Sequence, residues 1–187
     1  MNQDIVSLLK NGQVGILPTD TLYGLVGSAL NKDTIERIYK LKRRSPEKPS
    51  IILISSLNDL EQFSIHLDSP TKKILEKIWP NPVSVVLPCQ DEKLFYLHRG
   101  TNALAFRIPN DQELLNLLKQ TGPIIAPSAN PEGESPSQTI EEAKKYFAQG
   151  VDFYLDGGVL NNPPSTLIQI KDHQVHVLRQ GSFTITS

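Results

Sequence analysis

Residues 14–24 read VGILPTDTLYG, and they join a short apolar run to a polar loop. The run over residues 14–17 predicts a buried β-strand that ends at Pro18. The loop carries Thr19, Asp20, Thr21 and Tyr23, and open α/β sheets usually hold ligands in loops that follow strands. The stretch therefore predicts a central strand and a candidate binding loop. The alternative is an ordinary turn in which Thr and Asp bond their own backbone.

Further strands and helices are interleaved along the rest of the chain. Strands are predicted over residues 51–54, 83–87, 94–97, 103–108, 123–126, 153–155, 166–170 and 175–178. Helices are predicted over residues 4–11, closed by Gly12, then from Asp33, Asn58, Pro70 and Thr139 as starts, and around residues 114–118, closed by Gly122. Because the alternation is irregular and hairpin-like neighbours occur, we predict an α/β (α+β) fold with one mixed sheet flanked by helices.

Composition excludes several classes of protein. The 187 residues include 19 Lys plus Arg and 20 Asp plus Glu, and a net charge of −1 argues against a surface wholly devoted to nucleic acid. A hydrophobic content of 39% fits a packed domain, and the length favours a single domain over residues 1–187. Cys89 is the only cysteine, which excludes an internal disulfide and a Cys-rich zinc site. We expect a cytoplasmic protein without a membrane partner, since no apolar run approaches the roughly 18 residues of a membrane span.

A basic segment occupies residues 40–48. Its five basic side chains, opposed by Glu47 alone, give a local charge of +4. They are Lys40, Lys42, Arg43, Arg44 and Lys48. Such a cluster suits a phosphate group or the phosphates of RNA. The alternative is a solvated helix end, because cations favour helix C-termini.

Isolated polar residues in apolar surroundings are further candidates. Arg107 lies within the apolar run 103–108, so its guanidinium must either face solvent or meet an anion, and Arg179 raises the same question. Ser128 and Asn130 follow the strand 123–126, but Ser128 lacks the G-x-S-x-G context of a nucleophile. A positioning role is therefore favoured for both.

Several familiar sites are missing from the sequence. No Walker A motif and no G-x-G-x-x-G occurs. His173 and His176 are three residues apart, a spacing that places them on opposite faces of a strand, so no histidine-based metal site is expected.

Taken together, the segments resemble the YrdC/TsaC/Sua5 family of threonylcarbamoyl-AMP synthases. The matching stretches keep the family's order and spacing, and they are PTDTLYGL (18–25), KRRSPEKP (42–49), WPNPVSVVLP (79–88), LAFRIP (104–109), GPIIAPSANPEG (122–133), DGG (156–158), PST (164–166) and LRQG (178–181). The chain stops where the longer Sua5 form would add a linker and a second domain. The resemblance is therefore to the short, single-domain form without the C-terminal Sua5 domain.

The resemblance implies a fold, a reaction and a place in metabolism. The fold is a twisted YrdC-like (YrdC/RibB-type) sheet with a positively charged concave face. The implied enzyme is a nucleotidyltransferase that forms threonylcarbamoyl-AMP and pyrophosphate from L-threonine, bicarbonate or CO2, and ATP. Separate tRNA threonylcarbamoyl-transfer proteins would use the product to modify adenosine 37 of ANN-decoding tRNAs (t6A). Mg2+ is expected with the triphosphate, without a tightly bound organic cofactor.

The resemblance also assigns residues to the two substrates. The residues implied for ATP are Lys42, Arg44, Lys48, Ser128, Asn130 and Arg179, with Lys42 and Arg44 as the catalytic pair. The residues implied for threonine are Thr19, Thr21, Tyr23, Arg107, Ala126 and Ser165, with Arg107 as the partner of its carboxylate. The residues that would hold the metal are left unknown by the resemblance.

Four positions depart from the family pattern. Asn81 replaces a Gly, Ser84 a Thr, Glu132 a Ser and Leu53 a His that many members carry. They leave two alternatives open. One is a double-stranded RNA-binding paralogue that contacts RNA through residues 40–48, and the other is a relative that forms a carbamoyl-adenylate from a different acyl donor.

Overall fold

The computed structural model describes residues 3–45 and 47–185, and within them nine strands form one mixed sheet. The strands are β1 (Gly15–Pro18), β2 (Tyr23–Ser28), β3 (Ile51–Leu53), β4 (Val83–Pro88), β5 (Ala103–Arg107), β6 (Ile124–Ile125), β7 (Phe153–Tyr154), β8 (Thr166–Lys171) and β9 (Gln174–Arg179). Their order in the sheet is β7-β1-β2-β6-β3-β5-β4-β8-β9. Three neighbouring pairs are parallel, namely β1–β7, β3–β5 and β4–β8, and the others are antiparallel. The predicted mixed α/β fold is confirmed.

Helices flank this sheet. They are α1 (Gln3–Lys10), α2 (Lys32–Lys42), α3 (Ser69–Ile78), α4 (Phe95–His98), α5 (Gln112–Thr121) and α6 (Ile140–Phe147), with 3-10 helices at Leu57–Phe63 and Glu92–Leu94. No helix in the described part of the chain combines the length and the apolar character needed to cross a membrane.

Helix ends follow the sequence signals at some positions and not at others. Thr139 caps α6, Gly122 closes α5, and Pro70 lies in the first turn of α3, as predicted. The predicted start of α2 at Asp33 is wrong, because Asn31 has the extended backbone of a cap and accepts a hydrogen bond from Thr34 N at 3.1 Å. Asp33 then lies in the first turn, where a negative charge also favours a helix.

The predicted start at Asn58 is also wrong. The 3-10 helix Leu57–Phe63 begins after Ser56, whose backbone N–H donates to Asp59 Oδ2 at 3.1 Å. Asp59 lies three residues after Ser56, which is the spacing at which a carboxylate can accept from the free backbone N–H of a helix cap. The capping pair is therefore Ser56 and Asp59, not Asn58 and Glu61.

One strand predicted from the sequence is wrong, and one observed strand was not predicted. Residues 94–97 are helical rather than extended, and Leu94 and Leu97, three apart, both pack into the core. Strand β2 was missed because its sequence, YGLVGS, contains two glycines. Gly27 is required there by packing, since a Cβ atom would lie 2.3 Å from Thr34 Cγ2 of helix α2.

Apolar clusters lie on both faces of the sheet. The larger cluster includes residues of α2, α3, α4 and α6. The smaller cluster joins α1 and α5 to residues of β1, β2, β3 and β6, including Leu17, Val26 and Leu53. Residues of β4, β5 and β8 do not belong to this smaller cluster, and on that side the sheet carries a cleft.

Candidate active site

The floor of the cleft is formed by small and branched side chains that lie side by side on neighbouring strands. Ile51 of β3 pairs with Ala105 of β5, which pairs with Val86 of β4, so the three side chains share one face. All three are only partly buried, whereas Leu104 and Phe106, which alternate with Ala105, lie in the core. The alternation leaves a shallow apolar floor beside the helices α1 and α5.

Two adjoining cavities rest on this floor and share Ile51, Ser128 and Arg179. The larger cavity has a volume of about 370 Å³ and includes Arg44 in its wall. The smaller cavity has a volume of about 210 Å³ and is lined by Thr19, Thr21, Leu22, Tyr23, Gly24, Ile51, Arg107, Ala126, Ser128, Pro136, Pro164, Ser165 and Arg179. Every residue assigned to threonine by resemblance is in this second set.

Arg107 lies at the carboxyl end of β5 and is paired within the protein. Its Nη2 atom is 2.9 Å from Asp20 Oδ1, and both side chains are 4% exposed. The contact is close but poorly aligned as a hydrogen bond, since Asp20 Oδ1 has no hydrogen-bond partner among the described residues, and Arg107 Nε has none there either. Burial lowers the pKa of the Arg107 guanidinium, and the Asp20 carboxylate opposes that shift. The buried Nε–H therefore remains a donor without an acceptor among the described residues, on a side chain that lines the smaller cavity.

The hydroxyls of the two threonines after β1 have different hydrogen-bond partners. Thr19 Oγ1 donates to Leu22 O at 2.7 Å and accepts from Thr21 N at 3.2 Å, so this hydroxyl closes the turn. Thr21 Oγ1 contacts only Thr19 Oγ1, at 3.2 Å, among the described residues. The turn interpretation thus holds for Thr19, while Thr21 keeps hydrogen-bonding capacity toward the cavity.

Tyr23 ties the loop after β7 to the start of β2. Its hydroxyl donates to Gly158 O at 2.8 Å and accepts from Gly157 N at 2.8 Å, with Asp156 Oδ1 at 3.2 Å. Burial is the main cause that raises the pKa of this phenol, so it stays protonated at neutral pH. Because the hydroxyl is fully engaged, Tyr23 shapes the cavity wall rather than offering a free donor.

Ser165 and Arg179 form the opposite wall. Arg179 Nη2 donates to Ser165 O at 2.9 Å, and Ser165 Oγ lies 2.9 Å from Ser84 Oγ. Ser84, one of the departures from the family pattern, therefore shares a hydrogen bond with the Ser165 hydroxyl. Burial lowers the pKa of Arg179.

The loop after β6 is held by Lys42. Lys42 is 2% exposed, and its Nζ donates to Ser128 O at 2.5 Å and Asn130 O at 2.7 Å. Ser128 Oγ in turn donates to Asn130 Oδ1 at 2.6 Å. Burial lowers the pKa of Lys42 to about 7, the charge of Arg44 adds to the shift, and Glu132 opposes it. Lys42 thus contacts the loop backbone in this structure and lines neither cavity.

The structure brings together only part of the residue set implied for ATP. Arg44, Ser128 and Arg179 line the larger cavity, while Lys42, Lys48 and Asn130 line neither. Their roles toward ATP, like those toward threonine, stay predictions. Within residues 3–45 and 47–185 no group of three or more His, Cys, Asp or Glu side chains could hold a metal ion.

Two other departures from the family pattern, Asn81 and Leu53, have ordinary local roles. Asn81 Nδ2 donates to Ile78 O at 2.7 Å, which closes the turn after α3. Leu53 is fully buried in the smaller apolar cluster and lines neither cavity.

Sequence reasoning missed Asp20 as the partner of Arg107, and Pro136 and Pro164 as parts of the wall. One signal could have found Asp20. A guanidinium in an apolar strand needs a countercharge, and Asp20 is the one acid within residues 18–25.

A mixed sheet with two joined cavities, walled by hydroxyls and three guanidinium groups, is typical of an α/β domain that binds small anionic ligands. The chain belongs to the Sua5/YciO/YrdC family, whose model, described as "Telomere recombination", matches residues 7–181.

Relatives and solved structures agree with this family. The threonylcarbamoyl-AMP synthase of Bacillus subtilis is 32% identical over 95% of this chain and 52% of its own length. The putative threonylcarbamoyl-AMP synthase of Methanocaldococcus jannaschii is 30% identical over 95% of this chain and 84% of its own. The crystal structure of P. abyssi Sua5 complexed with L-threonine has a TM-score of 0.86 at 28% identity, over 95% of this chain and 53% of that one. This chain spans about half the length of the first and third of these proteins.

Proposed function

We propose that this chain is an L-threonylcarbamoyladenylate synthase. The observation that carries the proposal is the smaller cavity, whose wall gathers Thr19, Thr21, Tyr23, Arg107, Ala126 and Ser165 from four separate segments. Relatives named threonylcarbamoyl-AMP synthase and the threonine complex of P. abyssi Sua5 support it.

The proposed substrates fit the charges of the two cavities. Arg107 would bind the threonine carboxylate in the smaller cavity, leaving the amine to face the larger one. Arg44 and Arg179 would bind the phosphates of ATP in the larger cavity, because a planar guanidinium matches phosphate oxygens in pairs. Mg2+ would enter with the triphosphate, where it balances charge on the phosphate oxygens.

The proposed reaction has two bond-forming steps. The threonine nitrogen adds to the carbon of CO2 and loses a proton, which gives a carbamate. A carbamate oxygen then attacks the α-phosphorus of ATP, while the bond from that phosphorus to the bridging oxygen breaks and pyrophosphate leaves. Such chemistry depends on orientation and positive charge more than on a covalent nucleophile. A cleft with Arg44, Arg107 and Arg179 on its walls supplies both.

The site of action is part of the same proposal. The enzyme would act as a nucleotidyltransferase in the cytoplasm and pass its labile product to tRNA threonylcarbamoyl-transfer proteins. The alternative of RNA binding through residues 40–48 is less well supported, since Lys42 is buried and Lys48 is paired with Glu132.

Omission of single substrates tests the proposal. Purified protein is expected to release pyrophosphate only when ATP, L-threonine and bicarbonate are all present, as measured by a coupled pyrophosphatase assay. Release that persists without threonine would indicate a different acyl donor. Steeply salt-dependent binding of double-stranded RNA without adenylate formation would instead favour the RNA-binding paralogue.

Replacing Arg44 with glutamine is expected to raise the KM for ATP about 10- to 100-fold, because about 1.5–3 kcal/mol of charge-assisted hydrogen bonding is lost. The KM for threonine should change less than threefold, since Arg44 lines only the larger cavity. Arg43→Gln is the matched control, because Arg43 is exposed and lines neither cavity. An equal rise in both variants would contradict a specific role for Arg44.

A further inference from the structure

The Glu132 carboxylate lies in an anion-binding position formed by the basic segment, residues 40–48. Glu132 Oε2 accepts a hydrogen bond from Ser45 N at 2.6 Å, and Oε1 accepts one from Lys48 Nζ at 2.5 Å. Glu132 N also donates to Lys42 O at 2.6 Å. Three contacts therefore fix the loop after β6 to the basic segment.

The donors in this position are those that a phosphate group also uses. A backbone N–H and a lysine ammonium bind phosphate oxygens through the same charge-assisted hydrogen bonds that they make to a carboxylate. The hydrogen bonds from Lys48 and Ser45 N lower the pKa of Glu132, so the carboxylate is ionised at neutral pH. An arriving phosphate would meet a negative charge already bound to these donors.

A further hydrogen bond connects Lys48 to Arg44 in the wall of the larger cavity. Lys48, whose ammonium binds Glu132, accepts a hydrogen bond from Arg44 Nε at its carbonyl, at 2.9 Å. Arg44 Nη2 donates to Pro49 O, also at 2.9 Å. Glu132 thus holds Lys48 next to Arg44, whose guanidinium lines the larger cavity. The Lys48 ammonium itself lines neither cavity.

We propose that Glu132 is an internal competitor of polyphosphate: its carboxylate holds the Lys48 ammonium and the Ser45 N–H, and a polyphosphate ligand binds these donors only when Glu132 releases them. This inference rests on the proposed function only in taking a polyphosphate as the ligand of the larger cavity. Its consequence is a weaker affinity for ATP than the cations alone would give.

Glu132→Gln tests the competition directly. Glutamine removes the charge but keeps an oxygen that can accept from Ser45 N, so the loop can keep its place. The Kd of inorganic tripolyphosphate, measured by isothermal titration calorimetry, is expected to fall about three- to tenfold, in line with the modest strength of a partly exposed ion pair. Glu134→Gln is the matched control, because Glu134 is exposed on the same loop and its carboxylate makes no hydrogen bond or ion pair within residues 3–45 and 47–185. It should change the Kd less than twofold.

A double variant guards against indirect effects. If Glu132 acts mainly by occupying Lys48, then Glu132→Gln should give a clearly smaller gain in a Lys48→Met background, where Ser45 N–H is the one remaining donor of the pair. An unchanged or raised Kd in Glu132→Gln, with melting curves that show folded protein, would overturn the proposal. So would an equal gain in Glu134→Gln, since that would be a general effect of charge.

The outcome is separable from that of the synthase proposal, because tripolyphosphate binding needs neither threonine nor bicarbonate. A tighter Kd without threonine-dependent pyrophosphate release would uphold the competition and refute the synthase. Threonine-dependent pyrophosphate release by the wild type, with an unchanged Kd of tripolyphosphate in Glu132→Gln, would refute the competition and uphold the synthase.

Discussion

Arg107→Gln is expected to abolish threonine-dependent pyrophosphate release and also to lower the free energy of unfolding by about 3–5 kcal/mol. The stability loss arises because Asp20, 4% exposed at its side chain, would remain buried without its countercharge. The activity loss arises because the smaller cavity would lose its buried cation. Urea denaturation measures the first effect, and the pyrophosphate assay at saturating ATP measures the second.

The two effects can be separated with a double variant. Asp20→Asn/Arg107→Gln removes both charges of the pair, so much of the stability should return. Threonine-dependent release should not return, since the carboxylate of threonine would still lack its partner. Binding of tripolyphosphate in the double variant should stay within threefold of the wild type, because Arg107 does not line the larger cavity. A folded double variant that kept the wild-type KM for threonine would refute the assignment of Arg107.

The strands that the sequence predicted well are apolar runs with clear boundaries. Residues 83–87 lie between two prolines and form most of β4, and residues 103–108 end at Pro109 and form β5. Strand β2 has no such pattern. Gly27 in this strand is explained by the packing of α2 against the sheet, which is a tertiary contact that a local pattern does not contain.

The six residues that the resemblance assigns to threonine line one cavity, and their role toward threonine stays a prediction. The resemblance does not contain the partners of these residues. It did not show that Arg107 is paired with Asp20 or that Lys48 is paired with Glu132, because ion pairs between distant segments depend on side-chain geometry.

Lys42 is an instructive case. In the sequence it belongs to a basic cluster that suits a phosphate group, with a solvated helix end as the alternative. Yet it follows Ile35 by seven residues and Ile38 by four, which places it on the buried face of α2. Helical spacing could thus have predicted a buried lysine, and a buried ammonium needs acceptors, here the carbonyls of Ser128 and Asn130.

Lys42→Met is accordingly expected to lower the free energy of unfolding by about 2–4 kcal/mol at pH 7, because the partly buried carbonyl of Ser128 and the buried carbonyl of Asn130 lose their donor at about 1–3 kcal/mol each. The cost of burying the ammonium disappears in the variant, which keeps the total below the simple sum. Lys40→Met is the matched control, since Lys40 is exposed on the same helix. It should change stability by less than about 0.5 kcal/mol.

The effect of Lys42 should depend on pH with a definite sign. Burial lowers its pKa to about 7 in the folded protein, whereas the ordinary value for lysine is near 10.5. Between these values the unfolded chain holds a proton that the folded chain has released, so unfolding takes up a proton and is disfavoured as the pH rises. The wild type should therefore gain stability relative to Lys42→Met from pH 7 to pH 9, by up to about 1.4 kcal/mol per pH unit.

Urea denaturation of both proteins at pH 7 and pH 9 measures this difference. The neutral amine still has hydrogens to donate to both carbonyls, so deprotonation relieves the cost of burial without breaking the contacts. A constant difference across this range would show that Lys42 stays charged when folded.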